Sequence, residues 1–157
     1  MRKTLSVAVL DPNDPATIEK VTEAVKEYQS SVIPCSSREH VLPTLNQRRV
    51  DVVVIGFQEP FRETFDLLSQ IKTQAAGTEV VLLAEFDDET LWVWIEAIQR
   101  GAYEFLPKAV DLVDLQHVLL RATEKTHPVR MKKHPPAASI QARSLDQVQS
   151  KAVGSGG

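Results

Sequence analysis

Apolar residues along this chain gather into short unbroken runs, separated by stretches in which they recur every three or four positions. That alternation predicts strands interleaved with helices. Residues 5–10 carry Val7, Val9 and Leu10 and read as a first strand. Asp14-Pro15 then supplies a helix start, a carboxylate for the N-cap and a proline at the first helical position, and Ile18, Val21, Ala24, Val25 and Tyr28 follow at helical spacing. Residues 31–35 form a second strand whose Pro34 lacks a ladder donor and so suits a sheet edge. Ser37 opens a second helix through Val41, Leu42 and Leu45, which Pro43 is expected to shorten or kink.

The strongest signal lies at residues 50–55, where Val52, Val53, Val54 and Ile55 form a β-branched run suited to a strand buried on both faces. Phe65, Leu68 and Ile71 mark a third helix, which Gly77 is expected to end in the left-handed conformation. A second apolar run at 80–83 is the fourth strand. The fourth helix should cover roughly 88–100, with Leu91, Trp94, Ile95 and Ile98 inward, Val93 outward and Trp92 on the flank, before Gly101 stops it. Residues 103–106 give a fifth strand ending at Pro107-Lys108. Asp111 caps a fifth helix through Leu112, Leu115, Val118 and Leu119, and Asp114 in its first turn favours the positive end of the dipole. Five strands alternating with five helices predict an α/β, flavodoxin-like (βα)5 three-layer sandwich with parallel sheet order 2-1-3-4-5.

Composition narrows the picture. A length of 157 residues suits one domain, and 43% hydrophobic with 25% charged residues is ordinary for a globular protein. No apolar run approaches the roughly 20 residues that cross a bilayer, and the opening apolar stretch is too short for a secretory signal, so a cytoplasmic protein is expected. The single Cys35 forms no internal disulfide and reads as a small core residue. From His127 onward, Arg130, Lys132, Lys133, Arg143 and Lys151 face one acid, Asp146, among several prolines. A folded domain over 1–126 and a flexible basic tail over 127–157 follow. Without aromatic interleaving the tail reads as a solvated linker rather than a nucleic-acid arm. His40, His117, His127 and His134 lack metal-ligand companions at recognised spacing, and Asp11-Pro12-Asn13-Asp14 has no glycine to cradle a phosphate. Neither a metal nor a cofactor is expected.

In an open parallel sheet, chemistry sits beyond the carboxyl ends of the strands. Here those ends offer Asp11-Pro12, Gly56, Ala84-Glu85 and Lys108. Three pieces carry a resemblance: Val-Ala-Val-Leu-Asp at 7–11, Asp-Val-Val-Val-Ile-Gly-Phe-Gln-Glu-Pro at 51–60, and Gly-Ala-Tyr-Glu-Phe-Leu-Pro-Lys at 101–108. Over residues 4–125 the chain resembles the receiver domains of bacterial response regulators. The resemblance implies an acidic pair after strand one, a phosphorylated aspartate after strand three, a hydroxyl after strand four and a lysine after strand five. The carboxylates would hold Mg²⁺, and the metal and lysine would neutralise the phosphoryl group in flight. Asp11 matches the first acid and Lys108 the lysine. Pro12 stands for the second acid, Gly56 for the nucleophile, Ala84 for the hydroxyl, and Ala109 for the proline after the lysine, while Phe105 falls at the switch aromatic.

Gly56 has no side chain to attack phosphorus. The expectation is therefore a degenerate receiver that acts without phosphorylation as a protein-interaction module in two-component or phosphorelay signalling, not as an enzyme. Asp11 and Lys108 should pair as a structural contact, of about 0–1 kcal/mol if exposed. Two alternatives stand beside this: a small-ligand module using Lys108 and the space at Gly56, or a displaced acid (Asp14, Glu59 or Glu85) as phosphoacceptor. Asp51, at the far end of its strand, cannot serve. By the resemblance, Trp92, Val93 and Phe105 should lie on a face made by helix four, strand five and helix five, which would receive a signalling partner or a second copy.

Overall fold

The computed structural model describes residues 4–57, 61–85 and 91–124. The chain runs β1 (Thr4–Leu10), α1 (Ala16–Val25), β2 (Gln29–Cys35), α2 (Arg38–Gln47), β3 (Val52–Gly56), α3 (Phe61–Gln74), β4 (Glu79–Ala84), α4 (Leu91–Gln99), β5 (Glu104–Pro107) and α5 (Leu112–Glu124). All neighbouring strands are parallel and the order is β2-β1-β3-β4-β5, as the pattern predicted. The basic tail over 127–157, Glu59 and the expected start of the fourth helix at 88 lie outside the described residues.

The period of two along each strand sorts its side chains into two cores. Leu5, Val7, Val9, Val52, Val54, Val81, Leu83 and Leu106 meet α1 and α5 on one face. Ala8, Leu10, Val53, Ile55, Val80, Leu82, Ala84 and Phe105 meet α2, α3 and α4 on the other. Strands covered on both faces have no polar side to show, which is why they read as continuous apolar runs. Pro34 sits on the edge strand β2, beside Val9.

Helix ends follow local chemistry. Asp111 caps α5 by accepting the Asp114 N–H at 2.8 Å. Gly101 adopts φ 107° after α4, with its N–H donated to Ile98 O at 3.1 Å and the Ala102 N–H donated to Ala97 O at 3.0 Å. This is the paired-bond closure that a left-handed glycine allows. The expectation for Gly77 fails: α3 ends at Gln74, and a turn donating Thr78 N–H to Ala75 O at 2.8 Å precedes β4. Pro43 does not break α2, which continues to Gln47, and α1 ends at Val25, short of Tyr28.

Two surface expectations are corrected. Val93 is fully buried and packs inward with Trp94 and Ala97, whereas Trp92 is 55% and Ile98 40% exposed. Apart from Glu96 and Gln99 every residue of α4 is apolar, so its periodicity could not fix which side faces the sheet. Phe105 is 1% exposed, pointing between β5 and α4 with its ring centroid 5.6 Å from that of Phe57. Strand alternation, which sends Leu106 to the other core, places it there. Trp92 itself turns toward α3, edge-on to Phe61 at 6.0 Å and Phe65 at 6.5 Å, away from β5.

Candidate functional site

The register Leu10 to Ile55 sets Asp11 alongside Gly56, and Ala84 pairs with Pro107 next to Lys108. The carboxyl ends of β1, β3, β4 and β5 thus bring together Asp11, Gly56, Ala84 and Lys108. Pro12 follows in the exposed turn after β1. Between the acid and the lysine stand the ends of β3 and β4, and their small residues leave the path open. Lys108 Nζ reaches Asp11 Oδ2 at 2.7 Å and Asp14 Oδ2 at 3.0 Å.

The expected pair therefore forms, but not as a surface contact, because the Asp11 side chain is 1% exposed. Asp11 Oδ2 also accepts the Thr17 hydroxyl at 2.6 Å. Asp14 divides its oxygens, one to Lys108 and the other accepting the Ala16 N–H at 3.1 Å, which fixes the entry to α1. Lys20 donates to the Lys108 carbonyl at 2.6 Å and holds the β5–α5 turn against α1. Thr17 and Lys20 escaped the sequence reading. Their only signal was a position in the first turns of the helix that leaves β1, directly over the strand ends.

The decisive geometry is at Gly56. A β-carbon placed there would lie 2.0 Å from Asp11 Oδ2 and 2.1 Å from its Cγ. The space beside Gly56 is filled by the carboxylate of Asp11. This removes the room that a ligand module at Lys108 would use. A divalent cation that demands several oxygen ligands is also poorly served: Asp11 Oδ2 is committed to Thr17 and Lys108, and Pro12 and Gly56 offer no side-chain oxygen. The donor set does not fit Mg²⁺. Among the described residues no group of three or more His, Cys, Asp or Glu side chains is placed to hold a metal ion, and no helix is long and apolar enough to cross a membrane. Asp51, at the opposite end of the sheet, is buried and accepts from the Ser6 N–H at 2.9 Å and Arg49 at 2.9 Å. Cys35 is buried, and burial raises its thiol pKa against a weaker lowering by a hydrogen bond with Thr44.

Burial alone would lower the pKa of Lys108, but hydrogen bonds to Asp11 and Asp14 and their charges outweigh it, and the net direction is up. Asp14 moves down, chiefly through its hydrogen bond from Lys108. The signs fix the pH window. Stability from Lys108 is complete below the ordinary lysine value of about 10.4 and is lost as pH rises through the higher folded value. Stability from Asp14 is present above about pH 3.9 and is lost as pH falls through its lower folded value. The urea midpoints of wild type and Lys108→Met should therefore keep a constant gap on going alkaline until about pH 10.4. A gap already closing between about pH 7 and 9 contradicts the raised lysine.

Known proteins share this sequence pattern and fold. Residues 7–120 match the family model described as response regulator receiver domain. The chain is 30% identical over 117 residues to the DNA-binding transcriptional regulator NtrC of Proteus hauseri, covering 73% of this chain and 24% of that protein. It is 33% identical over 78 residues to the NtrC of Bradyrhizobium sp. (strain RP501 Parasponia), covering 50% of this chain and 16% of the relative. The chain thus spans under a quarter of the length of these curated relatives. A response regulator from Thermotoga maritima superposes with a TM-score of 0.70 at 22% identity, over 78% of this chain and 100% of that one.

Proposed function

The chain belongs to the response regulator receiver domain family, and on that premise we propose that it is a degenerate receiver of bacterial two-component or phosphorelay signalling. It works without phosphorylation, as a protein-interaction module in the cytoplasm. The observation that carries this reading is the Asp11 carboxylate seated beside Gly56 and bonded to Lys108 at 2.7 Å. A lysine that would neutralise an incoming phosphoryl group is matched instead by a carboxylate of the chain itself, and the strand end that would supply a nucleophile has no side chain.

The output goes through the face formed by α4, β5 and α5. The apolar residues that support this are Ile98 on α4 and Leu112 and Val113 at the start of α5, all exposed. Exposed apolar residues on neighbouring elements are the usual substance of an interface core. The partner is another signalling protein.

Incubation with acetyl phosphate and Mg²⁺, followed by intact mass, tests the phosphorylation-independent reading. The mass is expected to stay unchanged. A base-labile gain of one phosphate would overturn it, and loss of that gain in Asp14→Asn or Glu59→Gln would assign the acceptor to the displaced acid.

A further inference from the structure

A groove of about 580 Å³ runs between α3 and α4, on the side of α4 turned away from β5. Its floor is aromatic. Phe61 and Phe65 lie along α3, and Trp92, more than half exposed, stands edge-on to both. Phe61 is itself stacked on Phe57 at 4.8 Å, so this strip is anchored in the core and is not a set of loose surface rings. A rigid, amphipathic tryptophan left half in water is a typical anchor for a protein contact.

Four charged residues wall the groove, and they fall into two kinds. Glu96 and Arg100 satisfy each other at 2.6 Å, and the Arg100 guanidinium lies 4.9 Å above the Phe65 ring. Arg62 and Asp66 make no ion pair or side-chain hydrogen bond among the described residues. They sit one helical turn apart on α3 and carry opposite signs. A uniformly acidic or basic segment laid along this wall meets attraction at one residue and repulsion at the other. The same pattern run in reverse meets attraction at both, and a second copy related by a two-fold axis supplies that reversal.

We propose that this chain forms a two-fold homodimer through the α3–α4 groove, with Arg62 of each copy opposite Asp66 of the other around the two Trp92 rings. The contact lies on a different side of α4 from the output face, so one copy can hold its twin and a partner together. It stands on the groove alone and holds whether or not the strand-end site takes a phosphoryl group.

Sedimentation of the full chain over concentrations up to about 1 mM reads the equilibrium. Wild type is expected to dimerise, more weakly as salt rises. Arg62→Asp and Asp66→Arg should each raise the dimer Kd by at least about tenfold, because each puts like charges together twice. Mixing those two variants should recover association, since every cross-copy pair then joins opposite signs, and Arg62→Asp/Asp66→Arg should dimerise again on its own. Recovery on mixing also shows that the single variants are folded. A wild type that stays monomeric, single reversals that dimerise as tightly as wild type, or a mixture that remains monomeric overturns the proposal. So does a dimer abolished by Leu112→Ser/Val113→Ser and untouched by the charge reversals.

Discussion

Lys108→Met should lower stability by about 3–5 kcal/mol, the cost of breaking a buried ion pair on one side. The substitution keeps most of the side-chain length and removes only the cation. Asp11 then retains the Thr17 hydroxyl but loses the ammonium at 2.7 Å, inside a side-chain environment that water barely reaches. The penalty is that of a carboxylate stranded out of water, much greater than the value of a surface ion pair. Removing both partners in Asp11→Asn/Lys108→Met should recover most of the loss, because asparagine still accepts from Thr17 and carries no charge. Urea unfolding of wild type, Asp11→Asn, Lys108→Met and the double variant, read as midpoints at constant slope, measures the cycle. If Lys108→Met falls within about 1 kcal/mol of wild type, the strand-end pair is a surface contact after all.

Gly56→Asp should cost about 1–3 kcal/mol, although an aspartate at this strand end is what the resemblance to receiver domains implies. The added β-carbon lands 2.0 Å from Asp11 Oδ2, so the older carboxylate must swing out and give up its bonds to Thr17 and Lys108. A second negative charge then competes for one lysine. Asp11→Ala introduced alongside should return stability to within about 1 kcal/mol of wild type, since the new carboxylate inherits both the room and the ammonium. A single Gly56→Asp variant as stable as wild type would mean that Asp11 yields the space freely, and the filled-pocket account of the site would fall.

These expectations explain why this site could be only partly read in advance. Asp11, Gly56, Ala84 and Lys108 were all assignable to strand ends, because each follows a run whose pattern admits little but a strand. That Asp11 and Lys108 meet was also foreseeable from the sheet order. What the pattern left open was the energetic class of the contact, since the small value held only for an exposed pair. Exposure depends on what covers a group, and the cover here is Thr17 from the first turn of α1, a residue with nothing in its neighbourhood to announce the role. The α4 face failed for a related reason. A helix apolar on nearly every side can dock on several faces, and packing buried Val93 and Ala97 with Trp94, kept Leu91 and Ile95 against the core, and left Ile98 exposed. Phe105 followed the strand rule of alternation, which the family-based placement on a surface face had set aside.

The sequence by itself determined the succession of strands and helices, the five-stranded parallel order, the edge position of β2, the stop at Gly101 and the lack of a side chain at Gly56. The elements and the two glycine features are written in local periodicity and in the backbone freedom of single residues, and the sheet order follows from the few right-handed ways that alternating strands and helices can be wound. Only the tertiary structure decided that the Asp11 carboxylate fills the space beside Gly56, that Lys108 is matched by acids of its own chain, and that Trp92 and α3 share a groove. Those outcomes rest on rotamers and close contacts between residues up to 97 positions apart, where packing density selects one arrangement from many that the pattern alone permits.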